Sequence, residues 1–429
     1  MFIRTLKLIV PVMVVVAMLL SIKACDPCAS CSHHPIKPTP TPIPPNACVP
    51  SSSLSVLIQG SDVASYVPEG NWNPASSPNV ELVPIEGTGI VRATIVTPKV
   101  VNSCSSNSTT GQTVCTSNDS DVYLITGTAL TKTLTSGETG TTSFSGGTCS
   151  TCGVVIDATS NLAFLGIGLT GDQSAYQAIN LATDTLQAPI VSGSQISEDI
   201  TIDPQLHLLL SPSEGGIYEL VNLTTGGVFD NAITSGGALD SAGEDCTTGI
   251  ALSTVEGTGH LFIADLKQAT FVAGTGGAPG TWSAPSQVQN FPEFASLSAG
   301  TNGIAVAPNT HLAVVTGEFG GNNVGAIQLP ATSGTGTPAV VDYVLLTLPA
   351  EPDGTPFSTG FDPHTVTAYV SPTSHKAFAI VADAPPTFLA VIDLQAMLSA
   401  TRTPGTHIVD PSIDLIATGI LRYVKVAGP

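Results

Sequence analysis

Positive charge is scarce in this chain of 429 residues: 12 Lys and Arg stand against 32 Asp and Glu, a formal net charge of −20. Nucleic acids are held through phosphates by clustered cations, so a nucleic-acid partner is excluded. The charge draws cations instead, divalent metals among them, and basic surfaces. Aromatic residues make up only 5 % and tryptophan is limited to Trp72 and Trp282, too few for the stacking platforms of a quinone-cofactor or carbohydrate site. With 42 % hydrophobic residues, the core must be built from Val, Ile, Leu and Ala. There is no Gly-x-x-x-x-Gly-Lys-Ser/Thr phosphate loop, no Gly-x-Ser-x-Gly nucleophile elbow and no His-Glu-x-x-His helix. Long apolar runs are missing but for one, Leu8 to Leu20, which is short for a permanent membrane span.

That run belongs to an export signal over residues 1–25. Arg4 and Lys7 precede it, and Ser21-Ile-Lys-Ala-Cys25 follows. Ala24 before Cys25 resembles a bacterial lipoprotein processing site, with Lys23 where a small residue is usual, and makes Cys25 the candidate lipidated residue. Residues 26–50 are rich in proline and cysteine and read as a semi-rigid extended spacer. Nine cysteines minus an acylated Cys25 leave eight, an even number that an oxidising compartment can pair. Cys104 and Cys115 flank an Asn/Ser/Thr-rich segment with the character of a hairpin tip and are expected to bridge. Cys149 and Cys152, and Cys28 with Cys31, are close pairs suited to local bridges, while Cys48 and Cys246 have no assigned partner. Covalent haem attachment fails at both Cys-x-x-Cys pairs, because Ser32 and Gly153 stand where His is needed.

The remainder, 51–429, carries a repeat. An apolar run, a turn ending in Asn or His, and a second apolar run recur at Gly153–Leu165, Asp199–Leu210, Gly249–Ala264, Gly303–Val315 and Thr367–Ile380. The turn residues Asn161, His207, His260, His311 and His375 are 46 to 64 positions apart, the spacing of one four-stranded blade with variable loops. Later strands in several copies share a signature: Ala178-Ile-Asn-Leu, Leu220-Val-Asn-Leu, Ala326-Ile-Gln-Leu and Val391-Ile-Asp-Leu. Over residues 150 to 400 the chain resembles the YVTN-type and lactonase-like β-propeller repeats. The fold expected is all-β: one propeller domain of seven blades, with six as the alternative if residues 54 to 90 form an extension. The strand Ile420–Val426 is expected to close the ring by joining the N-terminal blade.

Histidines at equivalent repeat positions are spread around a ring and do not converge, so a turn role is expected for them. Residues just before the inner strands can converge at one channel mouth. Taking Ile250 as the start of an inner strand, these are Glu198, Asp245, Asn302 and His364, a set of oxygen donors and one imidazole suited to a divalent cation such as calcium. The set resembles the metal centre of gluconolactonase-like propellers, which implies metal-assisted lactone hydrolysis. No complete catalytic set is present, so the leading expectation is a binding or scaffold module of the bacterial outer membrane, periplasm or cell surface. It would meet the membrane only through its N-terminal lipid and take an unidentified protein or small-molecule ligand. A metal-dependent lactonase-like hydrolase and a component of an extracellular assembly are the alternatives.

Overall fold

A computed structural model describes Cys48 and residues 55–59, 79–84, 93–98, 101–107, 110–117, 121–135, 151–169, 173–194, 199–291, 301–317, 323–334, 336–347, 366–371, 374–382, 388–399, 408–409, 413–417 and 423–427. All lie within one unit, Pro38–Pro429. The expected signal sequence with Cys25, the spacer apart from Cys48, and Cys149, Glu198 and His364 fall outside the described residues.

The chain enters through β1 (Ser55–Gln59), β2 (Asn79–Pro84) and β3 (Ala93–Val96). Blade 1 is β4 (Val101–Asn107), β5 (Gln112–Ser117), β6 (Val122–Thr126) and β7 (Ala129–Leu134). Blade 2 is β8 (Thr151–Asp157), β9 (Leu162–Leu169) and β10 (Gln173–Asn180), with β11 (Thr185–Leu186) and β12 (Ile190–Val191) both paired to β10. Blade 3 is β13 (Thr201–Asp203), β14 (Leu208–Pro212), β15 (Ile217–Asn222) and β16 (Gly227–Ala232). Blade 4 begins with β17 (Leu239–Asp245), β18 (Ile250–Val255) and β19 (His260–Asp265). A hairpin, β20 (Thr270–Val272) and β21 (Gly280–Ser283), is then lent to blade 3, β21 lying parallel to β16, before β22 (Ser286–Asn290) completes blade 4. Blade 5 is β23 (Thr301–Ala307), β24 (Leu312–Gly317), β25 (Asn323–Gln328) and β26 (Asp342–Thr347). Blade 6 is β27 (Val366–Val370), β28 (Ala377–Ala382) and β29 (Phe388–Asp393), followed by the short helix α1 (Leu394–Ser399). Thereafter β30 (Ile408–Val409) pairs with β26, β31 (Ile413–Ala417) with β29, and the last strand, β32 (Tyr423–Ala427), with β1.

The innermost strands lie side by side in the order β4, β8, β13, β17, β23, β27, β32 and back to β4. The fold is therefore an all-β propeller. Among the described residues, the layers from the entry sheet through to blade 6 each hold a hydrophobic cluster. Along β14, Leu208 and Leu210 face blade 4 while Leu209 faces blade 2; along β24, Leu312 and Val314 face blade 6 while Ala313 and Val315 face blade 4. Because both faces of these central strands are buried, they read as continuous apolar runs and not as alternation. An aromatic group, Tyr218, Phe262 and Trp282, joins blades 3 and 4: the Tyr218 hydroxyl donates to the Leu252 carbonyl at 3.1 Å and Trp282 Nε1 to the Tyr218 carbonyl at 2.7 Å.

One turn marks a blade. The residue after the inner strand that leads into the second strand has positive φ: Gly111 (68°), Asn161 (54°), His207 (55°), Gly249 (70°), His311 (57°) and His375 (58°). This left-handed conformation favours Gly and Asn and admits His. In five blades the carbonyl of that residue accepts the N–H that follows the third strand or its turn, from Gly127, Leu181, Leu223, Leu266 and Leu329. The expected seven blades thus become six of this build. The remaining sheet, β3-β2-β1-β32, is a composite of both chain ends and has no continuous connection in which such a turn can form. A second correction concerns His260. The turn residue of blade 4 is Gly249, and His260 opens β19, one strand later, because the inner strand β17 reads Leu-Asp-Ser-Ala-Gly-Glu-Asp and hides from a search for apolar runs.

Closure by β32 gives a direct expectation. A chain ending at Gly419 leaves β1 with an unpaired edge between β27 and β4, so it should melt at lower temperature and form oligomers in size-exclusion chromatography; a truncated protein that stays monomeric with unchanged Tm contradicts closure.

Candidate functional site

Acidic side chains gather where the inner strands of blades 3 and 4 end. Asp203 is the last residue of β13 and is fully buried. Its Oδ1 accepts the backbone N–H groups of Gln205 and Leu206, both at 2.8 Å, which shapes the turn towards His207 as an Asx turn. Asp245 does the same for blade 4, accepting from Thr247 N at 3.1 Å, while its Oδ2 is held at 2.7 Å by His311 Nδ1 of blade 5. Beside it the Thr247 hydroxyl donates to Asn309 Oδ1 at 2.6 Å. A similar bond, Asn107 Nδ2 to Asn161 Oδ1 at 2.8 Å, links blades 1 and 2. His311 is thus a turn residue and an inter-blade clasp, in line with the structural role expected of the repeat histidines.

Glu244, one residue before Asp245, turns to Asp203. The two carboxylates and the Cys246 sulfur each place an atom within 4.8 Å of the others. Asp203 Oδ2 and Glu244 Oε1 are buried without a hydrogen-bond donor. Burial, and then the charge of Asp203, hold the Glu244 carboxyl well above its ordinary range, and burial raises Asp203 as well. Cys246 is joined to Cys48 with the Cα atoms 5.7 Å apart, so its sulfur is no thiolate ligand. Gln205 Nε2 donates to Cys48 Sγ at 3.0 Å, seating Cys48 over the same corner. Lys267 Nζ reaches the Thr247 carbonyl at 2.6 Å and lowers both carboxyls only weakly.

Of the four residues expected to ligate a metal, Asp245 lies at the end of β17 and Asn302 is the second residue of β23. These strands run side by side: the Thr301 hydroxyl donates to the His260 carbonyl near the start of β17, whereas Asn309 meets Thr247 beyond its end. The two positions are therefore separated by most of the strand length, about 17 Å for about five residue steps. The structure does not bring them together, and Asp245 is already occupied by His311. The cause is the hidden inner strand: with Ile250 taken as its start, Asp245 fell before the strand, whereas it ends the strand. Cys104 and Cys115 are joined across β4 and β5, with Cα atoms 4.1 Å apart. Cys152 lies in β8.

A second acidic pair is built into blade 3. Glu219 of β15 stands opposite Asp230 of β16. Glu219 Oε1 accepts the Tyr176 hydroxyl of blade 2 at 2.5 Å and the Ser192 hydroxyl at 2.6 Å, and Oε2 accepts Gly193 N at 2.7 Å. Gly193 is required there, since a Cβ would fall 2.1 Å from the Pro279 ring. Neither Glu219 nor Asp203 is marked by a motif. What set Glu244 apart in the sequence was a polar inner strand among apolar ones.

No protein-family model matches the chain, and no curated protein does. Among solved structures it is similar to a functionally unknown protein from Desulfotomaculum acetoxidans DSM 771, at 12 % identity and TM-score 0.54, covering 88 % of this chain and 99 % of that one. It is also similar to Kuenenia stuttgartiensis hydrazine synthase, at 12 % identity and TM-score 0.51, covering 75 % of this chain and 91 % of that one. At such identity the likeness is one of fold alone, the β-propeller, and it names neither YVTN-type nor lactonase-like relatives.

The Glu219 pair sets a pH dependence. Burial raises Glu219 from its ordinary 4.5 to about 7, so between those values the folded protein keeps a proton that the unfolded chain has lost. Its contribution to stability is full below about pH 4.5 and is lost as pH rises through about 7; Asp203, Asp230 and Glu244, all raised, act in the same sense. Glu219→Gln, which keeps the shape of the neutral acid, should flatten the fall in Tm between about pH 5 and about pH 8. An unchanged slope in thermal unfolding would remove Glu219 as its source.

Proposed function

We propose that this protein is an exported, lipid-anchored envelope propeller of YVTN-like type, serving as a rigid binding or scaffold module. The observation that carries the reading is the disulfide between Cys48 and Cys246. Disulfides persist in oxidising compartments, which suits the export signal at residues 1–25. This one bonds the end of the spacer to the inner corner of blade 4. A pull on the anchor is thereby delivered to the interior of the ring and not to the strand β1, whose sheet depends on both chain ends. From Cys25 to Cys48, an extended Pro-rich segment reaches about 70 Å, enough to hold the propeller clear of a lipid surface. The surplus of acidic residues makes a basic protein surface or a cationic ligand the favoured partner.

Two measurements test this. Cells expressing the protein with an alkyne palmitate analogue should yield a labelled product in the envelope fraction, and Cys25→Ser should abolish the label; an unlabelled cytoplasmic product overturns the anchor. Peptide mapping without reductant should recover the Cys48–Cys246 cross-link, and Cys48→Ser should lower stability by on the order of 2–4 kcal/mol in denaturant unfolding. Two free thiols in the native exported protein would contradict the tether.

A further inference from the structure

We propose that Asp203 and Glu244 form a binding site for one hard divalent cation of the calcium class, between blades 3 and 4. The site differs from a channel-mouth centre, because both residues lie at or near the ends of their inner strands, β13 and β17. Three observations meet there. Asp203 is fully buried, its Oδ1 is committed to two backbone N–H groups, and its Oδ2 faces no donor. Glu244 Oε1 is likewise buried without a donor. Both residues present an atom to a common point, within 4.8 Å of each other. Two acid groups so placed must share a proton or take up a cation, since unpaired buried charge is expensive.

The neighbouring groups do not supply that cation. Lys267 Nζ is drawn to the Thr247 carbonyl and Asp245 is held by His311. A proton shared between the two acids pairs both oxygens but leaves one negative charge on the pair; a divalent cation displaces that proton and neutralises both carboxylates. The Cys246 sulfur is locked in its disulfide, so the available donors are oxygens, which select a hard ion over zinc or copper. Calcium accepts irregular cages completed by water, whereas magnesium demands near-ideal octahedral geometry. Glu244 is partly accessible, which opens a path for the ion and its waters. The bond from Cys246 to Cys48 holds the corner in place from the side of the spacer. With two protein carboxylates, affinity should lie on the order of 10⁻⁴ to 10⁻³ M, the range of extracellular calcium modules.

The test is calcium titration calorimetry on the oxidised full-length protein after chelator treatment, with magnesium as comparison. One calcium site is expected, with magnesium binding at least tenfold weaker. Glu244→Gln and Asp203→Asn preserve volume, and the amide oxygen of the latter still accepts the Gln205 and Leu206 N–H groups, so both variants should fold. Each should weaken calcium binding at least tenfold, with circular dichroism unchanged. The site is overturned if the wild type binds no calcium at 10 mM, if magnesium binds equally, or if Glu244→Gln binds like the wild type, which would place the ion among surface acids. Should Asp203→Asn fail to fold, the Glu244→Gln comparison decides alone.

Discussion

Burial on both faces of the central strands of the blades is the constraint on which the rest of this structure depends. A sheet with one wet face can stand alone against a helix layer, but a sheet whose Leu208, Leu209 and Leu210 are all buried needs a neighbour on each side. A linear stack would leave two apolar faces bare at its ends. Bending the stack into a ring removes them, and the composite sheet closes that ring by pairing β32 with β1. The price is topological: the first and last strands must find each other across the whole chain, a costly long-range pairing. The disulfides fit this need differently. Cys104–Cys115 staples one hairpin, whereas Cys48–Cys246, 198 residues apart, ties the entry of the chain to its middle.

Polar groups at the turn face are organised by position in the repeat. Asp157, Asp203 and Asp245 each accept N–H groups of the following turn. Four residues beyond stand Asn161, His207 and Gly249 in left-handed conformation. In blades 3 to 5 these turns also reach sideways, and that is where carboxylates accumulate. Asp245 finds an imidazole, Glu219 finds two hydroxyls and an amide, but the oxygens Asp203 Oδ2 and Glu244 Oε1 find only each other's carboxyl. Within a scaffold that satisfies its other turn aspartates locally, this exception points to a ligand.

The architecture was legible in the sequence because periodicity is a local property that a ring repeats. Apolar doublets flanking Asn161, His207, His311 and His375 located four blades, and the C-terminal strand was assigned to the entry sheet from the need to hide an edge. Blade 4 was displaced by one strand for a physical reason: β17 carries Asp240, Ser241 and Asp245 in buried positions and Glu244 in a half-buried one, so its burial is not expressed as hydrophobicity. That same displacement carried Asp245 to the wrong end of the strand, away from Asn302. Blade 1 was legible over Val91 to Leu134 from its strand Asp121-Val-Tyr-Leu-Ile-Thr and not from the repeat turn, which here uses Asn107 and Gly111 in place of Asp and His.

By itself, then, the sequence determined an all-β repeat, the conformation of its turns and the bridge between Cys104 and Cys115, because each depends on residues near one another in the chain. Only the tertiary structure decided that Cys48 meets Cys246, that His311 clasps Asp245, and that Asp203 faces Glu244. Those pairings arise from the angle at which one blade is set against the next, and that angle is fixed by packing across the layers between blades, on which spacing along the chain carries no information.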